Sequence, residues 1–180
     1  MKFKIDKSWT LFLDRDGVIN QKRENDYVKN WDEFIFLDSA VQAICKLSSL
    51  FGKIIVVTNQ RGVGKGIMTE LDLILIHKKM VDCIKANSGR IDEIYFCTEV
   101  SEYAECRKPN IGMAEKAKKD FPEINFKKSI MIGDSISDLQ FGFKLDMICF
   151  MIEKQSFQKK INNDYQRFES LIEFANHITS

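Results

Sequence analysis

Two carboxylates separated by one residue, Asp14 and Asp16, directly follow the apolar run 9–13. The run predicts a short buried strand that ends at this pair. In open α/β sheets, ligands bind just outside the carboxyl ends of the strands. Two like charges at such a position repel each other, and a hard divalent cation held by carboxylate oxygens is the simplest compensation. The pair therefore indicates a metal site or a catalytic role.

Three further apolar runs also lead to polar side chains. Because the carboxyl ends of parallel strands meet at one edge of a sheet, we expect these groups to lie beside Asp14 and Asp16. A solvated strand end is the alternative for the aspartates alone, but convergent roles favour a site. Aspartyl-phosphate chemistry needs an attacking carboxylate, an acid for the leaving alkoxide, and a metal, lysine and hydroxyl around the phosphate. The additional polar groups are Thr58 with Asn59, Lys108 and Asp134.

The elements that must position these groups alternate between apolar runs and helical patterns. This alternation predicts one domain over residues 1–180, of the α/β class, with a Rossmann-like, mostly parallel sheet and helices on both faces. Strands are expected over 9–13, 53–58, 91–97, 129–134 and 147–152. Helices are expected over 41–50, 69–87, 111–120 and 136–143, and a final amphipathic helix includes 168–174.

Composition narrows the partners and the compartment. Lys and Arg total 27 against 26 Asp and Glu, so the net charge does not indicate binding to nucleic acid or to an acidic membrane. Neither a signal peptide nor an apolar stretch of about 18 residues stands out. We therefore expect a cytoplasmic protein without nucleic-acid or membrane partners. The five cysteines are expected to be mostly free, buried thiols. A redox pair of Cys97 and Cys106 is the less favoured alternative.

From position 11 to about 143, the chain resembles the haloacid dehalogenase-like phosphatases. The longer matches 12–20, 57–62 and 106–113 resemble one branch, which contains heptose bisphosphate and histidinol-phosphate phosphatases without a large cap domain. The role of Asp138 stays open between orienting the motif lysine and supporting its loop. The four motifs are carried by Asp14-Arg15-Asp16-Gly17, Thr58, Lys108, and Gly133-Asp134 with Asp138.

This resemblance implies a role for each residue of the chemical site. Asp14 would be the nucleophile and a magnesium ligand. Asp16 would be the general acid and base and would give magnesium its backbone carbonyl, and Asp134 would be the third protein ligand. Thr58 and Lys108 would bind the transferring phosphoryl group.

The resemblance also implies the substrate contacts. Asn59 would bind the phosphoryl group, whereas Arg107, Gln60 and the long loop 20–31 would contact the distal part of the substrate. Lys65 stands where relatives often carry arginine, so a basic contact is expected there.

Many relatives in this branch bind a structural zinc through C-x-H and a later C-x-C. In this chain Glu99 replaces the histidine, and Ala104 replaces one cysteine. Since a closed structural zinc site takes four ligands, we expect no structural zinc.

The resemblance implies a magnesium-dependent, monomeric phosphatase for a small phosphorylated metabolite. The favoured substrate is a sugar phosphate, specifically a heptose bisphosphate of lipopolysaccharide precursor metabolism. Histidinol phosphate is an alternative, and a polynucleotide 3′-phosphate is a weaker one because the chain is nearly neutral. A non-catalytic scaffold that keeps the fold for partner binding is the alternative of a different class.

Three segments carry further expectations. The stretch 62–66 is interpreted as a flexible substrate or turn loop. It is not a nucleotide P-loop, because Asn59 and Gly66 stand where that motif needs glycine and Ser or Thr. His77 is expected at the surface, and the apolar run 71–76 is expected to form a buried helical face.

Overall fold

A computed structural model describes residues 4–153 and 166–179. Its sheet contains six strands, all parallel, in the order β3-β2-β1-β4-β5-β6. The predicted α/β class and the parallel sheet are confirmed. The sequence also predicts a polar stretch over 153–164 before the last helix, and from residue 154 onward this stretch lies outside the described residues. The strands are β1 (Thr10–Leu13), β2 (Lys53–Asn59), β3 (Glu93–Cys97), β4 (Ser129–Gly133), β5 (Ile148–Ile152) and β6 (Gln166–Phe168).

Helices cover both faces of the sheet, as predicted. Side chains alternate along β1, so that Leu11 and Leu13 enter one core and Phe12 enters the other. The first core is completed by α1, α3 and α6, and the second by α4 and α5. Within the described ranges no large cap domain is present, and no helix has the length and apolarity to cross a membrane. The helices are α1 (Ala40–Leu50), α2 (Arg61–Gly64), α3 (Glu70–Ala86), α4 (Gly112–Asp120), α5 (Ile136–Phe143) and α6 (Leu171–Thr179).

Helix α3 begins as the sequence predicts. The Thr69 hydroxyl accepts from the backbone N–H of Asp72, and the Asp72 carboxylate accepts from the Thr69 N–H. This reciprocal capping box satisfies two N–H groups that the helix itself leaves unpaired.

The predicted buried face of 71–76 is wrong for three of its residues. A helix turns once every 3.6 residues, so it cannot bury a run of consecutive positions on one face. The exposed residues are Leu71 at 64%, Ile74 at 46% and Leu75 at 48%.

His77 is buried, so its predicted surface position is also wrong. Its place on α3 explains why. It follows Leu73 by four residues and precedes Ile84 by seven, and both belong to the buried stripe of the helix.

Two local elements differ from the sequence-based expectation. The predicted loop 62–66 overlaps the one-turn helix α2, where Gly62 packs against Tyr27 so closely that an added Cβ would lie 2.9 Å from the ring. Phe168 lies in strand β6 rather than in the last helix. It pairs with Ile152 and so extends the sheet beyond β5.

Candidate active site

The predicted chemical groups meet at the carboxyl edge of the sheet. Strand β1 lies between β2 and β4, with Leu13 opposite Val56 on one side and Ile132 on the other. The side chains that follow these positions therefore converge on one point. They line a pocket of about 390 Å³. Its lining includes Asp14, Asp16, Thr58, Asn59, Gln60, Arg107, Lys108, Asp134 and Asp138.

Lys108 is buried directly against Asp14. Its Nζ lies 3.0 Å from Asp14 Oδ1 and 2.6 Å from Asp138 Oδ1, and it donates to the Val57 carbonyl over 2.6 Å. Burial lowers the pKa of Lys108, but the two carboxylates outweigh this effect and raise it. Lys108 is therefore a fixed cation beside the predicted nucleophile.

Asn59 holds the backbone that carries this lysine. Its Oδ1 accepts from the Lys108 N–H over 3.0 Å, and its Nδ2 donates to the Lys108 carbonyl over 3.1 Å. Asn59 also lines the pocket. Its two side-chain contacts tie the end of β2 to the segment after β3, so they position the ammonium group.

Asp138 connects Lys108 to helix α5. Besides its contact with Lys108, its Oδ2 accepts from the backbone N–H of Ser135 over 3.0 Å and from the Ser135 hydroxyl over 2.6 Å. The carboxylate thus caps α5 and also contacts the lysine. Direct contacts exist for both roles left open by the sequence, because Oδ1 contacts Lys108 and Oδ2 supports the loop at Ser135.

The surroundings of Asp14 and Asp134 disfavour the ionised form of both carboxyl groups. Burial raises the pKa of Asp14 to about 7, against the effect of Lys108 and with a contribution from neighbouring carboxylates. Burial also raises the pKa of Asp134, whose Oδ2 pairs with Lys22 over 2.7 Å. The other oxygen, Asp134 Oδ1, is buried and has no hydrogen-bond partner among the described residues.

These carboxylates fit a divalent cation. One oxygen each from Asp14, Asp134 and Asp138 lies within 4.8 Å of the others. Hard cations prefer oxygen ligands, and the orphaned Asp134 oxygen supplies one. Gly17 has φ +84° and packs so tightly against the Asp134 carboxylate that any Cβ would collide with it. The residues present therefore fit magnesium, and its binding through the Asp16 carbonyl stays a prediction.

The Asp16 carboxylate belongs to a second, buried group of side chains. Arg15 Nη2 donates to both Asp16 oxygens over 3.0 Å. Asn20 and Gln60 donate to Asp16 over 2.9 Å and 2.8 Å. Burial raises the pKa of Asp16, but the Arg15 charge and these hydrogen bonds outweigh it, so the pKa lies below its usual value. We call this group the Arg15 cluster: Arg15, Asp16, Asn20, Gln60 and His77.

Gln60 connects the Arg15 cluster to Thr58. Its amide nitrogen donates to Thr58 Oγ1 over 2.8 Å, and its amide oxygen accepts from Arg15 over 3.1 Å. Gln60 lines the pocket, but these internal contacts use its amide. Because Thr58 Oγ1 accepts from Gln60, the hydroxyl proton is available for a bound phosphate.

Two guanidinium groups lie at the outer part of the pocket. Arg107 and Arg61 both line it, and each has a buried N–H without an acceptor among the described residues: Arg107 Nη1 and Arg61 Nε. Burial and the like charge of Arg61 lower the pKa of Arg107. Lys65, by contrast, does not line the described pocket, and its ammonium lies 5.4 Å from the centre of the Tyr27 ring.

Sequence reasoning missed four residues in or behind this site: Arg15, Lys22, Arg61 and His77. Arg15 and Arg61 are adjacent to residues that were identified, and Lys22 lies in the loop expected to contact the substrate. The signal for His77 was its place in the apolar spacing of α3.

Cys97 and Cys106 form a disulfide, so the expectation of free thiols is wrong for this pair. Cys97 ends β3, and the following loop returns until the two Cα atoms are 5.4 Å apart, which is within disulfide reach. The remaining cysteines, Cys45, Cys83 and Cys149, are free thiols.

Comparison with known proteins places this site in a family. Residues 10–179 match the sequence profile of the polynucleotide kinase 3 phosphatase family. The chain belongs to this family of haloacid dehalogenase-like phosphatases. The predicted resemblance is thereby confirmed over nearly the whole chain.

Individual relatives narrow the branch of haloacid dehalogenase-like phosphatases. D-glycero-alpha-D-manno-heptose-1,7-bisphosphate 7-phosphatase from Mycobacterium bovis is 41% identical over 73% of this chain and 70% of its own length. The enzyme of the same name from Campylobacter jejuni is 34% identical over 94% of this chain and 95% of its own. An enzyme from Neisseria meningitidis, named for the beta anomer, is 32% identical over 93% of each chain.

A solved structure of a heptose bisphosphate phosphatase is also similar to this chain. The crystal structure of D,D-heptose 1,7-bisphosphate phosphatase from B. bronchiseptica, complexed with magnesium and phosphate, has a TM-score of 0.85 at 28% identity. The match covers 95% of this chain and 98% of that chain. The fold of this haloacid dehalogenase-like phosphatase therefore extends over the described residues without a large cap.

Proposed function

We propose that this phosphatase removes a phosphate from D-glycero-D-manno-heptose 1,7-bisphosphate in a magnesium-dependent reaction through phospho-Asp14. The observation that carries the proposal is the contact between buried Lys108 and Asp14, next to an Asp134 oxygen that has no hydrogen-bond partner in the part of the chain that the structure describes. This arrangement supports a site for a phosphoryl group and a cation. The names of the relatives support the heptose substrate.

The first step forms a covalent intermediate. A carboxylate oxygen of Asp14 attacks phosphorus, the bond between phosphorus and the sugar oxygen breaks, and Asp16 gives that oxygen a proton. Lys108 and the Thr58 hydroxyl donate to the phosphate oxygens. The negative charge of the bound phosphate raises the pKa of Asp16, which favours the protonated acid that this step requires.

The second step releases phosphate. Asp16, now ionised, takes a proton from water, whose oxygen attacks the phosphorus of phospho-Asp14. The bond between phosphorus and the Asp14 oxygen breaks, which restores the carboxylate and frees inorganic phosphate. The Arg15 cluster supports this step because it stabilises ionised Asp16.

Asp14, Asp134 and the backbone carbonyl of Asp16 would hold the magnesium ion. Bound there, magnesium would supply charge neutralisation for the phosphate oxygens and for the two buried carboxylates. Lys22 now pairs with Asp134, and its exposed side chain can leave when a cation binds.

A second anionic group on the substrate accounts for the outer part of the pocket. Arg61 and Arg107 bring two like charges together there, and each has a buried donor without an acceptor within residues 4–153 and 166–179. A phosphate or other anion would satisfy both donors. A bisphosphate provides that group, whereas histidinol phosphate does not. A 3′-phosphorylated polynucleotide also provides it, and the family profile makes this the second candidate.

Kinetic comparison of substrates tests the proposal. We expect kcat/KM to be highest for heptose 1,7-bisphosphate, with both anomers assayed beside heptose 7-phosphate, histidinol phosphate and a 3′-phosphorylated oligonucleotide. Arg107→Ala should lower kcat/KM for the bisphosphate at least about tenfold and for the monophosphate much less.

Arg23→Ala is the matched control for Arg107→Ala. Arg23 lines the same pocket, but its guanidinium already pairs with Asp26 and Glu33 at 3.3 Å each. Its replacement should change kcat/KM for the bisphosphate and for the monophosphate by a similar factor. Equal kcat/KM values across all substrates would contradict the heptose assignment, and an active Asp14→Asn variant would contradict the chemistry.

A further inference from the structure

We propose that His77, on helix α3 behind the active site, is a positioning residue that orients Asp16 through the guanidinium of Arg15. Nε2 of His77 lies 3.0 Å from Arg15 Nη1, and both side chains are buried. This inference rests on the proposed role of Asp16 as acid and base.

Arg15 does not face the pocket, although it lies between the two site aspartates in the sequence. Its side chain is completely buried, and the pocket lining does not include it. Its backbone N–H donates to Asp14 Oδ1 over 2.7 Å. The side chain runs from this anchored backbone into the protein, where it contacts Gln60, directly after β2, and His77 on α3.

The guanidinium connects His77 to Asp16 through its two terminal nitrogens. Nη1 meets His77, while Nη2 donates to both oxygens of Asp16. Because a guanidinium is planar and rigid, a change in the contact at Nη1 also moves Nη2. The orientation of the Asp16 carboxylate therefore depends on a residue that does not reach the substrate.

His77 supplies what Arg15 needs at that point, which is a hydrogen-bond acceptor. A guanidinium can only donate, so Nε2 must carry its lone pair toward Arg15, and the neutral ring keeps its proton on Nδ1. The low pKa of His77, caused chiefly by burial and then by the Arg15 charge, keeps the ring neutral. The Nε–H of Arg15 already has no acceptor among the described residues. Loss of His77 would leave a second buried donor unpaired.

This arrangement predicts a loss that depends on the leaving group. An alkoxide leaves slowly unless it receives a proton from Asp16, whereas a nitrophenolate leaves without one. The parameter kcat/KM reports the steps up to departure of the leaving group. A misplaced acid should therefore lower kcat/KM for a sugar phosphate and spare p-nitrophenyl phosphate.

The test compares His77→Leu, which removes the acceptor, with His77→Gln, which keeps one. For His77→Leu we expect kcat/KM with the sugar phosphate to fall about tenfold, and with p-nitrophenyl phosphate less than about twofold. His77→Gln should recover most of the loss. If His77→Leu does not fold, His77→Met, of closer volume, takes its place.

Met80→Ala is the matched control for loosening of α3, since Met80 lies three residues further along the same buried stripe. Met80→Ala should change kcat/KM for the sugar phosphate and for p-nitrophenyl phosphate by the same factor. Equal losses for His77→Leu, or no rescue by His77→Gln, would overturn the proposal.

Asp16→Asn separates failure of this inference from failure of the proposed function. Asp16→Asn should lower kcat/KM for the sugar phosphate more than His77→Leu does and should again spare p-nitrophenyl phosphate. If it shows none, Asp16 is not the acid, and the proposed function is wrong at that point. If Asp16→Asn shows the dependence and His77→Leu does not, the positioning role alone is wrong.

Discussion

Replacement of Lys108 by methionine would remove the ammonium that lies between Asp14 and Asp138 without leaving a large cavity. The distances from Nζ to these carboxylates are 3.0 Å and 2.6 Å, and the lysine side chain is 1% exposed. Removing one partner of a buried ion pair costs about 3–5 kcal/mol, because the remaining charge has no compensation. Protonation of Asp14, whose pKa burial already raises to about 7, limits the loss. We therefore expect the free energy of unfolding to fall by about 3 kcal/mol at neutral pH.

Urea unfolding of the metal-free protein, followed by tryptophan fluorescence, measures this loss. Lys22→Met is the matched control, because it removes a second Lys–Asp contact in the same site whose lysine side chain is 54% exposed. Such exposed pairs contribute at most about 1 kcal/mol. The double variant Lys108→Met/Asp138→Asn should recover about 1 kcal/mol or more, since one buried charge is removed with its partner. A loss for Lys108→Met no larger than that for Lys22→Met would refute the reasoning.

Three further changes test other parts of the account. Gly17→Ala should weaken magnesium binding in calorimetric titration, because its Cβ would displace Asp134. Gly66→Ala is the control, since Gly66 also has positive φ but lies in open space, and this variant should leave magnesium affinity unchanged. Equal effects of the two variants on magnesium affinity would contradict the metal site. The unfolded chain protonates His77 below about pH 6.5, whereas burial lowers the folded pKa to about 3. The free energy of unfolding should therefore decrease as the pH is lowered, and His77 should account for about 2 kcal/mol of this decrease at pH 5. In urea unfolding, His77→Gln should show a smaller decrease. A pH profile identical to that of the parent would exclude a buried neutral ring. Thr69→Ala should cost about 1 kcal/mol in the same assay through loss of the α3 cap, and an unchanged midpoint would show that the cap adds nothing.

The sequence was sufficient to predict the carboxyl edge of the sheet. The apolar runs that become β1, β2 and β4 are continuous, as expected for strands covered on both faces. Each leads directly to a polar group, so the meeting of Asp14, Thr58 and Asp134 followed from parallel pairing. Lys108 was placed at the same edge by the loop that follows Cys97, and the family motif then implied its role. The irregular segment that carries it has no period to interpret, so the burial of Lys108 against Asp14 required the structure.

Other features depend on contacts that no local pattern specifies. Strand β6 has three residues and is defined mainly by its pairing with β5. The Cys97–Cys106 bond depends on how the loop between them returns. His77 was misplaced because a polar residue type was given more weight than its position in the buried stripe of α3.

Detection of phospho-Asp14 tests the central claim most directly. Asp16→Asn, which should slow water attack, is mixed with magnesium and p-nitrophenyl phosphate, whose leaving group needs no proton from residue 16, and is then quenched in acid and reduced with borohydride. Reduction converts an acyl phosphate into an alcohol, so peptide mass spectrometry should find homoserine at position 14 and nowhere else. The account predicts this product with substrate and its absence in the Asp14→Asn/Asp16→Asn double variant. An unmodified Asp14 in a preparation that turns over substrate, or a label at another carboxylate, would contradict it.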